Sequence, residues 1–175
     1  MQSKQCILFP LLTLIALPLC LSTAFAGGET AKAGLGQAQA SAVKWKADAV
    51  LVQIITVSGN MEGTAENWSF LFHSPQANTS YKVDVKGSKI DQTNEVSPSF
   101  TDAVAGDFID SVQAMAEAKK KGLKGRRRAM MTLHVMLQGT KSEGPFWNIV
   151  SDQAEGRSTL IKAETGKFFR HQPLK

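Results

Sequence analysis

The chain has 175 residues, long enough to bury an apolar core either as one domain or as two small repeats. Its net charge is +5, yet seven positive charges fall in the ten positions 119–128, which read KKKGLKGRRR, so the rest of the chain is net acidic. That imbalance excludes a uniformly basic nucleic-acid binder.

The first residues, MQSKQCILFPLLTLIALPLCLSTAFAGGET, place Lys4 ahead of an apolar run from Ile7 to Leu21. Ala24-Phe25-Ala26 then gives a small-x-small site before Gly27. This is the pattern of a secretory signal peptide cleaved after Ala26, and it predicts a periplasmic or secreted protein. The run is shorter than the ~20 residues of a spanning helix, and Pro10 and Pro18 interrupt it. Leu19 stands where a lipid-attachment motif needs a small residue before Cys20. Both cysteines, Cys6 and Cys20, lie in the leader. The exported chain therefore has no disulfide, no thiolate nucleophile and no cysteine metal site.

Gly34 to Val43 is alanine-rich with apolar residues at helical spacing, predicting a short helix that ends near Trp45. Val50 to Val57 reads as a strand and Ser58 to Gly63 as a turn. Trp68, Phe70 and Phe72 alternate with other side chains as in a half-buried strand. After a loop over Ser74 to Ser80, Tyr81, Val83 and Val85 alternate with polar residues up to Gly87. Asp91 to Ser99 is a polar connection. The order then recurs: a helix over Asp110–Lys121, a strand over Ala129–Leu137, a polar turn over Gly139–Gly144 and a strand over Phe146–Val150. A loop over Gln153–Ser158 and a strand over Thr159–Ala163 follow, continued by Phe168 and Phe169.

A shift of 79 residues lays one half on the other without a gap, Trp68 on Trp147, Ile54 on Leu133, Tyr81 on Leu160 and Gly87 on Gly166. The expected fold is α+β, as tandem αβββ repeats, each a helix packed on an antiparallel sheet, and an unpaired edge strand of either sheet could pair the two repeats or two molecules. The expected boundaries are a signal peptide at 1–26, a first repeat at 27–98 and a second at 99–175. Trp68, Phe70, Phe72, Trp147 and Ile149 are the expected core aromatics and apolars.

Trp45 before Asp48-Ala49-Val50-Leu51, the Trp68-x-Phe70 strand, and the ending Lys162-Ala163-Glu164-Thr165-Gly166-Lys167 together resemble bacterial PepSY-like exported proteins. The ending is similar to the family's Asp-Ala-x-Thr-Gly, with Lys162 in place of the aspartate. The resemblance implies a cystatin-like helix-on-sheet fold and a role in restraining proteases or binding other envelope proteins. It implies no catalytic residue.

The residues themselves carry no catalytic pattern. His73, His134 and His171 lie far apart in the chain, and no metal-ligand spacing, nucleophile elbow or phosphate-cradling loop occurs. Neither an enzyme nor a cofactor is expected. The candidate site is the basic run itself: Lys119, Lys120, Lys121, Lys124, Arg126, Arg127 and Arg128. The three lysines suit a helix C-terminus and Gly122 a left-handed cap, while Gly125 is expected to loosen the loop that follows. Three consecutive arginines have no such structural reason. They point to an anionic partner, either another envelope protein, with a protease among the candidates, or an anionic lipid surface. Nucleic acid is disfavoured by the leader and by the absence of interleaved exposed aromatics.

Overall fold

The computed structural model describes residues 28–139 and 141–174. The leader, its cleavage site and both cysteines lie outside the described residues. Helix α1 (Ala31–Trp45) is followed by strands β1 (Val50–Asn60), β2 (Asn67–Ser74), β3 (Thr79–Lys86) and β4 (Lys89–Val96). Helix α2 (Ser111–Lys120) is followed by β5 (Arg128–Gln138), β6 (Lys141–Ser151), β7 (Arg157–Lys162) and β8 (Phe168–Pro173). All eight strands form one antiparallel sheet in the order β4-β3-β2-β1-β5-β6-β7-β8.

This corrects the expectation of tandem αβββ units, each a helix packed on an antiparallel sheet. Four strands follow each helix, and β1 pairs with β5, so the two sets of strands make one continuous sheet. A β1 edge left bare would expose a row of backbone donors and acceptors along its apolar sequence. Pairing it with β5 satisfies those groups and buries Ile54 and Leu133, which face each other across the seam with no exposed surface. The free edges of the sheet are β4 and β8 instead. Strand β4 went unread because its side chains are exposed almost throughout, so no alternation marks it.

The ungapped shift of 79 also fails across the strand pairs: Ile54 pairs with Phe70 but Leu133 with Trp147, two residues fewer between partners in the second case. Trp68 pairs with Val85 and Trp147 with Ile161, three residues fewer between partners in the second case. Tyr81 therefore does not correspond to Leu160. Tyr81 stacks on Trp45 at 4.9 Å, whereas Leu160 pairs with Asn148 on the opposite face of the sheet.

Both helices cover one face. Trp68, Phe70, Phe72, Trp147 and Ile149 are buried there as expected, with Met131, Leu133 and Ile161 beside them. Gly34 lets α1 approach closely, because a Cβ at that position would stand 2.9 Å from Val85 Cγ1. The two tryptophans meet edge to face at 6.2 Å. Each indole N–H donates to a backbone carbonyl just ahead of a helix: Trp68 to Glu29 O and Trp147 to Ile109 O, both at 2.9 Å.

The helix N-termini meet at this point. Asp110 caps α2 through a reciprocal box with Gln113. The same carboxylate accepts from Lys32 N of α1 at 3.0 Å, and Ser111 Oγ accepts from Ala31 N at 3.1 Å. The α1 cap residue, Thr30, makes no side-chain cap bond of its own. One pair of residues thus satisfies the first turns of both helices and brings a carboxylate to two positive dipole ends. Asp110→Ala should lower unfolding free energy by about 1–3 kcal/mol, more than a single cap is worth, and Asp110→Asn should recover most of it. Urea unfolding followed by tryptophan fluorescence measures both.

Candidate functional site

The basic run begins in the last turn of α2. Gly122 has φ +92°, Leu123 N donates to Ala118 O and Gly122 N donates to Lys119 O. Those two bonds are the paired closure of a Schellman motif, and half-buried Leu123 supplies its hydrophobic contact with the core. The left-handed cap expected at Gly122 is therefore present. The loose loop expected at Gly125 is not. A Cβ on Gly125 would stand 2.5 Å from Met61 Sδ and 2.9 Å from Ser151 Cβ, so the glycine is there to allow close packing.

Two residues at the end of β6 hold the rest of the loop. Ser151 Oγ donates to Lys124 O. The Asp152 carboxylate accepts from three successive backbone N–H groups, Arg126 at 2.8 Å, Arg127 at 3.0 Å and Arg128 at 3.4 Å. These bonds, led by the one from Arg126, hold the Asp152 carboxyl below the ordinary aspartate range. Sequence reading did not find Ser151 or Asp152. Their partners lie more than twenty positions away, and a Ser-Asp pair in a turn has no signature of its own.

All seven predicted site residues are exposed: Lys119, Lys120, Lys121, Lys124, Arg126, Arg127 and Arg128. Among the described residues, none of the seven forms a salt bridge, and the nearby Arg157 pairs with Glu155 at 3.8 Å. The carboxylate beneath the loop, Asp152, accepts from the backbone of the run. The loop is thus fixed in its main chain while its cationic ends are free to meet an outside anion. Register puts Lys86 and Lys89 at the same end of the sheet, since Asn67 pairs with Lys86 and Lys86 with Lys89.

The histidines fall on β2, β5 and β8 and do not converge. His73 Nδ1 is 3.4 Å from Ser80 Oγ, but Ser80 is fully buried, so no substrate can reach that hydroxyl. His171 bridges Thr159 Oγ1 and Lys121 O, at 3.2 and 3.1 Å, and ties β8 to the start of the basic run. His134 lies on the sheet face away from the helices, against the Phe100 ring at 5.3 Å, and burial lowers its pKa. It lines a shallow recess of about 420 Å³ with Ser99, Asp102 and Met136. Among the described residues, no group of three or more potential ligands could hold a metal ion, and no helix is long and apolar enough to cross a membrane.

No family model and no curated protein matches the chain. A solved structure does: a candidate lipoprotein of Clostridium difficile 630, 14% identical, with a TM-score of 0.54. The match covers 79% of this chain and 91% of that one. At that identity the likeness is one of fold. The PepSY-like assignment drawn from the sequence finds no support in these comparisons.

The Asp152 anchor has a defined pH signature. Its folded pKa lies below the ordinary value, so its contribution is fully present above the unfolded carboxylate pKa of about 3.9 and is lost as pH falls through the lower folded value. Asp152→Asn should remove that dependence and speed amide exchange at Arg126–Arg128 at neutral pH, while exchange in β2 and β3 stays unchanged. Hydrogen exchange resolved by residue tests both.

Proposed function

We propose that this chain is an exported, non-catalytic binding module of the bacterial envelope, and that it grips an acidic partner through residues 119–128. One observation carries the reading: seven exposed cations, none in a salt bridge among the described residues, run from the last turn of α2 through a loop held by Asp152, Ser151 and the Gly122 cap to the start of β5. Preorganisation matters because ordering a loop on binding costs free energy that a fixed loop has already met. Unpaired surface charge also raises encounter rates with an oppositely charged partner and loses its effect as salt screens it.

Export is supported by the leader pattern in residues 1–26 and agrees with the description of the C. difficile protein of similar fold as a candidate lipoprotein. Protease restraint rested on the family resemblance alone, and nothing in the loop geometry favours it over any other acidic partner. A non-catalytic role is favoured because, among the described residues, the close approach of Ser80 to His73 is buried.

Heparin, a polyanion of no particular sequence, serves as the probe. The protein should be retained on immobilised heparin and elute with salt. A variant with all seven cations replaced by serine should elute at least several-fold earlier in salt concentration, its near-ultraviolet circular dichroism unchanged. Equal retention of the two proteins would reduce the run to a solvated turn.

A further inference from the structure

The basic residues of 119–128 are also places where a protease that reads lysine or arginine could cut, and all of them are exposed. Exposed loops are where such nicking concentrates. Their side chains are open to solvent, but their main chain is held. Lys119 O accepts from Gly122 N at 3.1 Å, Lys121 O lies 3.1 Å from His171 Nε2, and Lys124 O accepts from Ser151 Oγ. Arg126, Arg127 and Arg128 give their N–H groups to Asp152, and Arg128 O accepts from Asp152 N at 2.9 Å. Lys120 is the last residue of α2. Apart from Gly122, these partners belong to the end of β6 and to β8, so their bonds are lost together if the loop lifts away.

Hydrolysis needs the opposite arrangement. A substrate lies along a protease as an extended strand, pairs its backbone with the enzyme, and turns the carbonyl of the basic residue into the oxyanion hole. Water then adds across the carbon–nitrogen bond, leaving a carboxylate on the basic residue and an ammonium group on the residue after it. Successive N–H groups of an extended strand point to opposite sides. Those of Arg126, Arg127 and Arg128 converge on one carboxylate, so this stretch is not extended while Asp152 holds it. Gly125 adds to the hold, because its close packing on Met61 and Ser151 leaves no room for an enzyme between loop and sheet.

We propose that residues 119–128 are a masked cleavage site: Asp152, Ser151 and His171 hold the main chain in a shape that a protease specific for basic residues does not accept, and the run is cut only when the loop opens locally. The inference concerns the main chain of the run and holds whatever its side chains bind. The frame that presents the cations to solvent withholds the peptide bonds beside them.

Limited digestion of the full chain with trypsin tests this, with the products identified by mass spectrometry, beside a free peptide of residues 117–130 and an Asp152→Ala variant. Cleavage within the run should be at least about a hundredfold slower in the wild type than in the peptide, because only the opened fraction is cut. Asp152→Ala should speed that cleavage at least about tenfold, while cleavage after Lys82, within β3, keeps its wild-type rate. Cleavage of the wild-type run at the rate of the peptide would overturn the mask. So would a variant cut no faster than the wild type. An equal rise after Lys82 would overturn it as well, since the stability of the whole sheet and not the anchor would then be the shield.

Discussion

The pairing of β1 with β5 is the contact on which the rest of the structure depends. Each strand has an apolar sequence and is the first strand after a helix, and each would be an exposed, sticky edge if the strands after it folded alone. Joined around Ile54 and Leu133, they turn two four-stranded meanders into one sheet with a shared apolar face. The seam also brings Trp68 against Trp147 and the first turn of α1 against Asp110 and Ser111. In the described residues the helix termini, the aromatic pair and the strand pairing therefore support one another.

The same seam fixes the candidate site. Because β5 is pinned beside β1, Arg128 sits opposite Asn60, and the end of β6 brings Ser151 and Asp152 under the loop. Gly125 then has to lie against Met61 of the β1–β2 turn. A run of like charges would ordinarily favour an open, mobile loop. Here three backbone bonds to one carboxylate and a Schellman closure hold it, and the side chains are left to the solvent.

Much of the element order was legible because it rests on local pattern. Trp68, Phe70 and Phe72 alternate as strand residues must, and Gly122 stands where a helix needs a left-handed cap. The parts that could not be read depend on partners distant in the chain. Nothing in Val50–Val57 says that its neighbour is Ala129–Leu137, so the sequence does not decide between one sheet and two. Strand β4 is held by backbone pairing to β3 and carries no apolar stripe. The basic residues of the site were visible in sequence. Asp152, which gives them a fixed frame, was not, because its contact with Arg126–Arg128 exists only after the sheet has formed.

Native-state hydrogen exchange at rising denaturant tests the central claim most directly, since it reads the stability of each strand separately. If one seam organises the molecule, amides of Ile54 and Leu133 should be among the slowest to exchange, and β2 and β6 should converge with them on a single opening free energy. Residues 50–96 and 128–173 opening with distinct free energies, one set exchanging while the other stays protected, would contradict the account and leave two independent units that merely touch.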